Sequence, residues 1–353
     1  GLPGSPGPTG QDFIIVGGSH RDGFLMRRER DSWDAPLAYW DPLPIFRDVW
    51  MLNAEKAWVV GDHGTLLQLE GTRWTGEREL DTVADMCAYK EPGSNRPSEL
   101  WAAGGEDAFF YDGGRWRNSY LYLERVSSLW CAGYDDVWAA GDDGQIEQWV
   151  GNRWLRHPRI ARDQLMGIAG VIHEDGRQEV WAVGHWGTRI HFDGEAWLDE
   201  TIENSHDNLT GVTAWKQDGV GHALAVTDDG YIYHWDGTSW NRQVAGTFVH
   251  LTAVDGDGFG QVWMVGNDGS FYHWQDGTIT PVTGPDLPYT LDDIWVRSAA
   301  DIWIAGSGDV FHFDGDTWTE ESYVGIESVT AIPFEAVWAG TREGGILRKD
   351  HGG

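Results

Sequence analysis

A short motif, Val-Trp-x-x-Gly or close to it, returns along the whole chain, and nothing else in the sequence constrains the fold as strongly. Clear copies run Trp58–Gly61, Trp101–Gly104, Trp138–Gly141, Trp181–Gly184, Trp263–Gly266 and Trp303–Gly306. Leu224–Thr227 and Trp338–Thr341 are divergent copies, and Ile14–Gly17 opens the series. Neighbouring copies lie 35 to 44 residues apart. Self-similarity at that period, in units with room for four short strands, is the signature of a propeller of radially arranged sheets.

One unit shows the pattern. Val180–Gly184 reads as a strand, His185-Trp186-Gly187 as a tight connection, and Arg189–Asp193 as the return strand. Gly194 closes a second hairpin, Glu195–Glu200 is the next strand, and Leu209–Trp215 begins the following unit. Asp-Gly steps recur at Asp112-Gly113, Asp236-Gly237, Asp276-Gly277 and Asp314-Gly315, a strong hairpin signal because Gly accepts positive φ at no steric cost. A Trp follows shortly after this turn in seven units: Trp33, Trp74, Trp116, Trp154, Trp197, Trp240 and Trp318. No stretch carries a sustained helical period, so the class is all-β. The expected architecture is a β-propeller of four-stranded antiparallel blades, eight in the first reading and nine in the second. The aliphatic segment before each Val-Trp strand should be innermost, with the Val-Trp strand second and the strand after Asp-Gly outermost. Indoles would fill the wedge between sheets that fan out from an axis.

Composition supports this and narrows the partners. The 353 residues include 23 Trp and 48 Gly, as expected of many tight turns between strands that bury large aromatics. With 25 Lys and Arg against 56 Asp and Glu, the net charge is −31, a field that repels phosphate backbones. Nucleic acid is therefore not an expected partner. No apolar run of about 18 residues suggests a membrane span. Gly1, Gly4, Gly7 and Gly10 keep the collagen period, so residues 1–11 read as a collagen-like or flexible leader and 12–353 as the propeller. A longer G-X-Y stalk would bring three copies together as a homotrimer.

Several constellations were weighed for chemistry. His191, His234, His273 and His312 recur at one place in four units; a ring of metal ligands is one reading, structural hydrogen bonds the other. Asp255 and Asp257 are the candidates for calcium, the only cofactor considered, although their loop offers few of the six or more oxygens calcium takes. Cys87 and Cys131 sit in the expected innermost strands of neighbouring units at opposite parity, and so could face one another between blades; a disulfide and two buried thiols both remain open. Hydrolase and metalloprotease motifs such as G-x-S-x-G and H-E-x-x-H are missing, and nothing proposes an enzyme.

The unit from Val137 to His157 resembles the tectonin or tachylectin propeller repeat, V-W-x-V-N-x-x-G-x-I-Y-x-x-x-G-x-x-W. Val137, Trp138, Gly144, Ile146, Gly151 and Trp154 sit at matching places, and Asp229–Trp240 is a second match. The resemblance implies binding of carbohydrate or lipopolysaccharide; no binding residue is carried over from it. The expected function is a non-enzymatic recognition module, extracellular or at the cell surface, that binds glycan or protein through propeller loops. The alternatives are a structural block of an extracellular assembly and an enzyme with a site at the channel mouth. Aromatics outside the repeat's structural positions are the ligand candidates: Trp186, where other units have a turn Asp, and Tyr134, Trp40 and Tyr120 in irregular segments.

Overall fold

The computed structural model describes residues 12–19, 22–29, 32–33, 46–53, 56–61, 65–70, 73–78, 83–89, 99–111, 115–202, 205–245, 249–282, 290–306, 309–322, 326–332, 336–341 and 346–350. The leader 1–11 and Trp40 lie outside them. Seven antiparallel four-stranded sheets span 46–78, 85–120, 126–156, 165–199, 209–244, 251–281 and 293–322, and three-stranded sheets span 12–33 and 326–350. In every sheet the spatial order follows the chain order. First strands of successive sheets pack side by side: Val126–Gly133 touches Leu165–Ile172, which touches Leu209–Gln217, and Ile326–Ile332 touches Phe46–Asn53. The result is an all-β propeller in which the first strand of each four-stranded sheet lies nearest the axis. These sheets do not by themselves fix a blade count of eight or nine.

Burial peaks at the second strand. The second strand is buried almost throughout; in Gln178–Gly184 only the first residue is partly exposed. Trp58, Trp101, Trp138, Trp181 and Trp303 are the largest fully buried side chains. Each faces an adjacent sheet: Trp101 meets Trp154 edge-on at 5.5 Å, Trp138 meets Trp197 at 5.9 Å, and Trp181 clusters with Trp235. The motif Trp of one sheet and the post-turn Trp of the next thus fill one wedge. Several indole N–H groups find partners there too, Trp138 on Gln178 and Trp154 on Ser119.

The motif Gly has a different reason. A Cβ on Gly141, Gly184, Gly266 or Gly306 would lie 1.8–2.3 Å from a backbone oxygen, that of Arg125, Gln164, His250 or Thr290 respectively. Each of these carbonyls belongs to the residue before an innermost strand. Arg125, Gln164 and His250 accept the N–H of the residue after the Gly, at 2.9–3.0 Å. Any side chain at the Gly would force that carbonyl aside.

Neighbouring innermost strands are cross-linked by side chains. Asp85 accepts the Leu129 N–H at 2.7 Å and Ser128 the Ile168 N–H at 3.4 Å. Thr210 donates to the Leu251 carbonyl at 2.9 Å, and Thr252 to that of Leu291. Counting from the buried residue that opens each segment (Val83, Val126, Leu165, Leu251, Leu291), the fourth residue onward faces the fifth of the next sheet. Asp255 accepts the Val296 N–H in this way at 2.8 Å, and a Cβ on Gly170 would strike the Trp130 ring at 2.6 Å. Cys87 and Cys131 occupy the same pair of positions and form a disulfide, with Cα atoms 5.6 Å apart. The two alternatives left open by the sequence resolve in favour of the bond, because the blades approach most closely at the axis.

Closing a 44-residue separation should stabilise the fold by about 2–4 kcal/mol, chiefly by restricting the unfolded chain. The double variant Cys87→Ala/Cys131→Ala should lose that much in urea unfolding. An unchanged midpoint and slope would show that packing alone holds these two blades.

Candidate functional site

The turn between second and third strands is built on positive-φ residues. In Asp142–Gln145, Asp143 and Gly144 have φ of 60° and 67°, and the Gln145 N–H bonds back to the Asp142 carbonyl at 3.2 Å. Asn267–Ser270 repeats this, with Asp268 at 56° and Gly269 at 67°. Such turns favour Asp-Gly and Asn-Gly because both central residues are left-handed. In the 165–199 sheet the same turn is His185-Trp186-Gly187-Thr188, with Trp186 at φ 56° and ψ 37°. A bulky aromatic in that region is an outlier that costs roughly 1–2 kcal/mol relative to a residue suited to it.

Surroundings hold the turn in place. The Trp186 N–H reaches Asn208 Oδ1 at 3.3 Å, and the Gly187 N–H reaches the Asp207 carbonyl at 2.7 Å. Asn208 is fixed by Asp228 of the next sheet, which accepts from its backbone N–H and from Nδ2 at 2.8 Å. The indole stands 52% exposed, touched edge-on by the exposed His206 ring at 5.4 Å. A flat apolar face beside an exposed imidazole can stack on the C–H face of a ligand while a polar neighbour bonds its hydroxyls.

The other candidates lie apart from Trp186. Strands of a sheet alternate in direction, so second-to-third turns and outer-strand exits share one rim of the ring. Tyr120, 77% exposed at the end of Trp116–Tyr120, is on the rim of Trp186 but two sheets away. Tyr134 is on the opposite rim, half-buried against Tyr89 at 5.2 Å. Sequence reasoning missed Tyr122, exposed beside Tyr120; the alternation of Tyr120 and Tyr122 with buried Leu121 and Leu123 carried that signal. It also missed His206 and Asn208, for which the sequence offers none.

Calcium fares poorly at Asp255 and Asp257. Asp257 Oδ1 accepts the N–H groups of Phe259 and Gln261, so it shapes its own loop and presents Phe259 to solvent. Burial, with like charge from Asp293 and Asp257, pushes the Asp255 carboxyl up to about 7 against the bond from Val296. Among the described residues no group of three or more His, Cys, Asp or Glu could hold a metal ion.

The recurrent histidines stay on four separate sheets and serve the wedge. His191, His273 and His312 stack on Trp181, Trp263 and Trp303, their cross-strand partners, at 5.0, 4.5 and 3.9 Å. His234 stacks instead on Trp215 and His222, and burial with the nearby His222 lowers its pKa to about 4. Structural hydrogen bonds run to acids of the adjacent strand: His312 to Asp301 and His191 to Glu179, each at 3.0 Å. Glu179 also takes His173 at 2.8 Å, and Glu200 lies 3.8 Å from the other nitrogen of His191. Burial opposes the Glu179 charge, but the bonds from His191 and His173 outweigh it and hold its pKa below the ordinary value. Burial likewise opposes the His191 cation, and the two glutamates outweigh it and raise its pKa.

No protein-family model and no curated protein matches the chain. Solved structures do. The computationally designed protein Ika8 aligns with a TM-score of 0.69 and 13% identity over 88% of this chain and 97% of its own. YCF48 from Cyanidioschyzon merolae aligns at 0.60 and 15% identity over 87% and 96%, and a streptogramin B lyase at 0.58 and 13% over 75% and 97%. These neighbours are β-propellers of four-stranded blades, and the likeness is one of fold.

Trp186→Asn should raise the unfolding free energy by about 1 kcal/mol, because Asn is at ease in the left-handed region; a fall in thermal midpoint would show that the indole is there for packing. The network of Glu179 and His191 gives a second expectation. Stabilisation from Glu179, whose pKa is lowered, is present above about pH 4.5 and lost below; that from His191, whose pKa is raised, is present below about pH 6.5 and lost as pH rises through the raised value. The difference in stability between wild type and Glu179→Gln should therefore peak between those values in pH-resolved unfolding. A difference independent of pH would remove the ionic account.

Proposed function

We propose that this protein is a non-enzymatic recognition module that binds saccharide through the rim carrying Trp186. The observation that carries the reading is an exposed indole kept in a backbone conformation that disfavours it, at a position where sister turns have Asp. Strain of this kind persists where surrounding structure over-determines it, and it clusters at ligand clamps. Propeller loops on a rigid ring are suited to such a role, since the sheets fix the turn and the turn presents the side chain. Several buried and half-buried acids have structural partners: Glu179 two histidines, Asp301 His312 and Trp303, Glu147, Asp85 and Asp255 backbone N–H groups. Those engagements favour binding over catalysis, although one neighbour of the fold is a lyase. The disulfide between innermost strands favours an oxidising location, extracellular or at the cell surface. A protein ligand is the second form of the reading; another neighbour of the fold is described as YCF48 bound to D1 peptide.

An immobilised glycan array followed by calorimetry tests the proposal. A saccharide should bind the wild type, and Trp186→Ala should weaken it at least about tenfold, the loss expected of an aromatic hot spot. Tyr134→Ala, on the far rim, should bind as the wild type does. No hit on the array, or full affinity in Trp186→Ala, would end this reading.

A further inference from the structure

Between the 165–199 and 209–244 sheets, on the rim of Trp186, polar and charged groups gather around the buried Tyr233 ring. Asp207, next to His206, accepts the Tyr233 hydroxyl. Tyr233 stands between two guanidinium groups. Arg189, 7% exposed, lies over its ring at 4.6 Å and gives Nη2 to the Glu200 carbonyl at 3.0 Å. Arg242, paired with Tyr233 across strands, lies over the Tyr231 ring at 4.5 Å, its guanidinium open to solvent. Asn208 ties the Trp186 turn to Asp228, three residues before Tyr231, so the two sheets' turns are joined by direct bonds. A continuous line of contacts therefore runs from the indole through His206, Asp207 and Tyr233 to Arg242.

Two features of this line point to a ligand. Arg189 Nε is buried with no acceptor among the described residues, although buried donors are normally paired. Charge is the second. The chain carries −31 overall, yet here Arg189 and Arg242 stand against Asp207, Glu200 and Asp228, so the excess of acid among these groups is a single charge. Arg242 is also pre-positioned by the Tyr231 ring, and so loses less freedom on pairing than a free surface arginine would.

We infer that the saccharide site extends from Trp186 across this gap to Arg242, and that it takes an oligosaccharide bearing a carboxylate. The indole stacks on one sugar ring, and the Arg242 guanidinium pairs with the carboxylate of another through parallel N–H···O bonds. Extending the site rests on the saccharide reading above but adds a separate claim about charge.

The test is an array of uronic-acid oligosaccharides printed beside their methyl esters, which keep the rings and lose the charge, with calorimetry at low and high salt on the hits. The acids should bind about tenfold more tightly than the esters at low salt, and the preference should shrink at high salt. Arg242→Gln should erase the preference, acid and ester then binding alike, and Trp186→Ala should weaken both. Because Arg242 is exposed, its variant should keep the wild-type thermal midpoint, which is checked alongside. Equal binding of acid and ester by the wild type, or a preference surviving in Arg242→Gln, overturns the inference and leaves the saccharide reading standing. If the wild type binds neither these glycans nor any neutral one, both fall.

Discussion

Sheets that radiate from an axis diverge, and the space that opens between them must be filled by side chains. That constraint governs this molecule. Near the axis the blades approach closely enough for a disulfide, hydroxyl-to-carbonyl bonds and an Asp that takes a neighbour's N–H. Farther out only indoles are large enough, and the chain supplies them in pairs, one from the motif strand and one from beyond the hairpin of the next sheet. Trp101 with Trp154 and Trp138 with Trp197 show the arrangement. Each pair buries a large apolar area, the dominant favourable term in folding, and it does so between sheets whose strands share no ladder.

The histidines belong to this same filling. Stacked on the motif Trp and bonded to an acid of the adjacent strand, His191 and His312 place a polar edge inside an apolar wedge. His191 carries the scheme furthest, since Glu179, His173 and Glu200 surround it. These groups close on one another and on the Trp181 ring, and rigidity is what they provide.

A ring held so firmly can support a turn that is locally unfavourable. Trp186 is in a left-handed conformation at the turn position where Asp143 and Asp268 take the same one in other sheets. Asn208 and Asp207 clamp the turn from the loop that follows, and Asp228 clamps that loop from the next sheet. The indole is therefore presented by three segments distant in sequence. Tyr134 has no comparable setting, because it packs on Tyr89 at the other rim.

Much of the fold was legible in the sequence, because it depends on local spacing. The period of the motif, the Asp-Gly turns and the strand order follow from which residues must be buried and which must reverse the chain, and the structure keeps all three. Parity along two strands was enough to put Cys87 opposite Cys131. Tertiary structure decided what depends on distance between sheets: that this pair is bonded, that the repeated histidines serve their own sheets, and that Trp186 and Tyr134 lie on opposite rims. It also decided why the motif ends in Gly, since the carbonyl that excludes a side chain comes from a residue some 16 to 20 positions earlier. A sequence records how neighbours along one chain alternate; where separate sheets meet is fixed only when they are packed around a common axis.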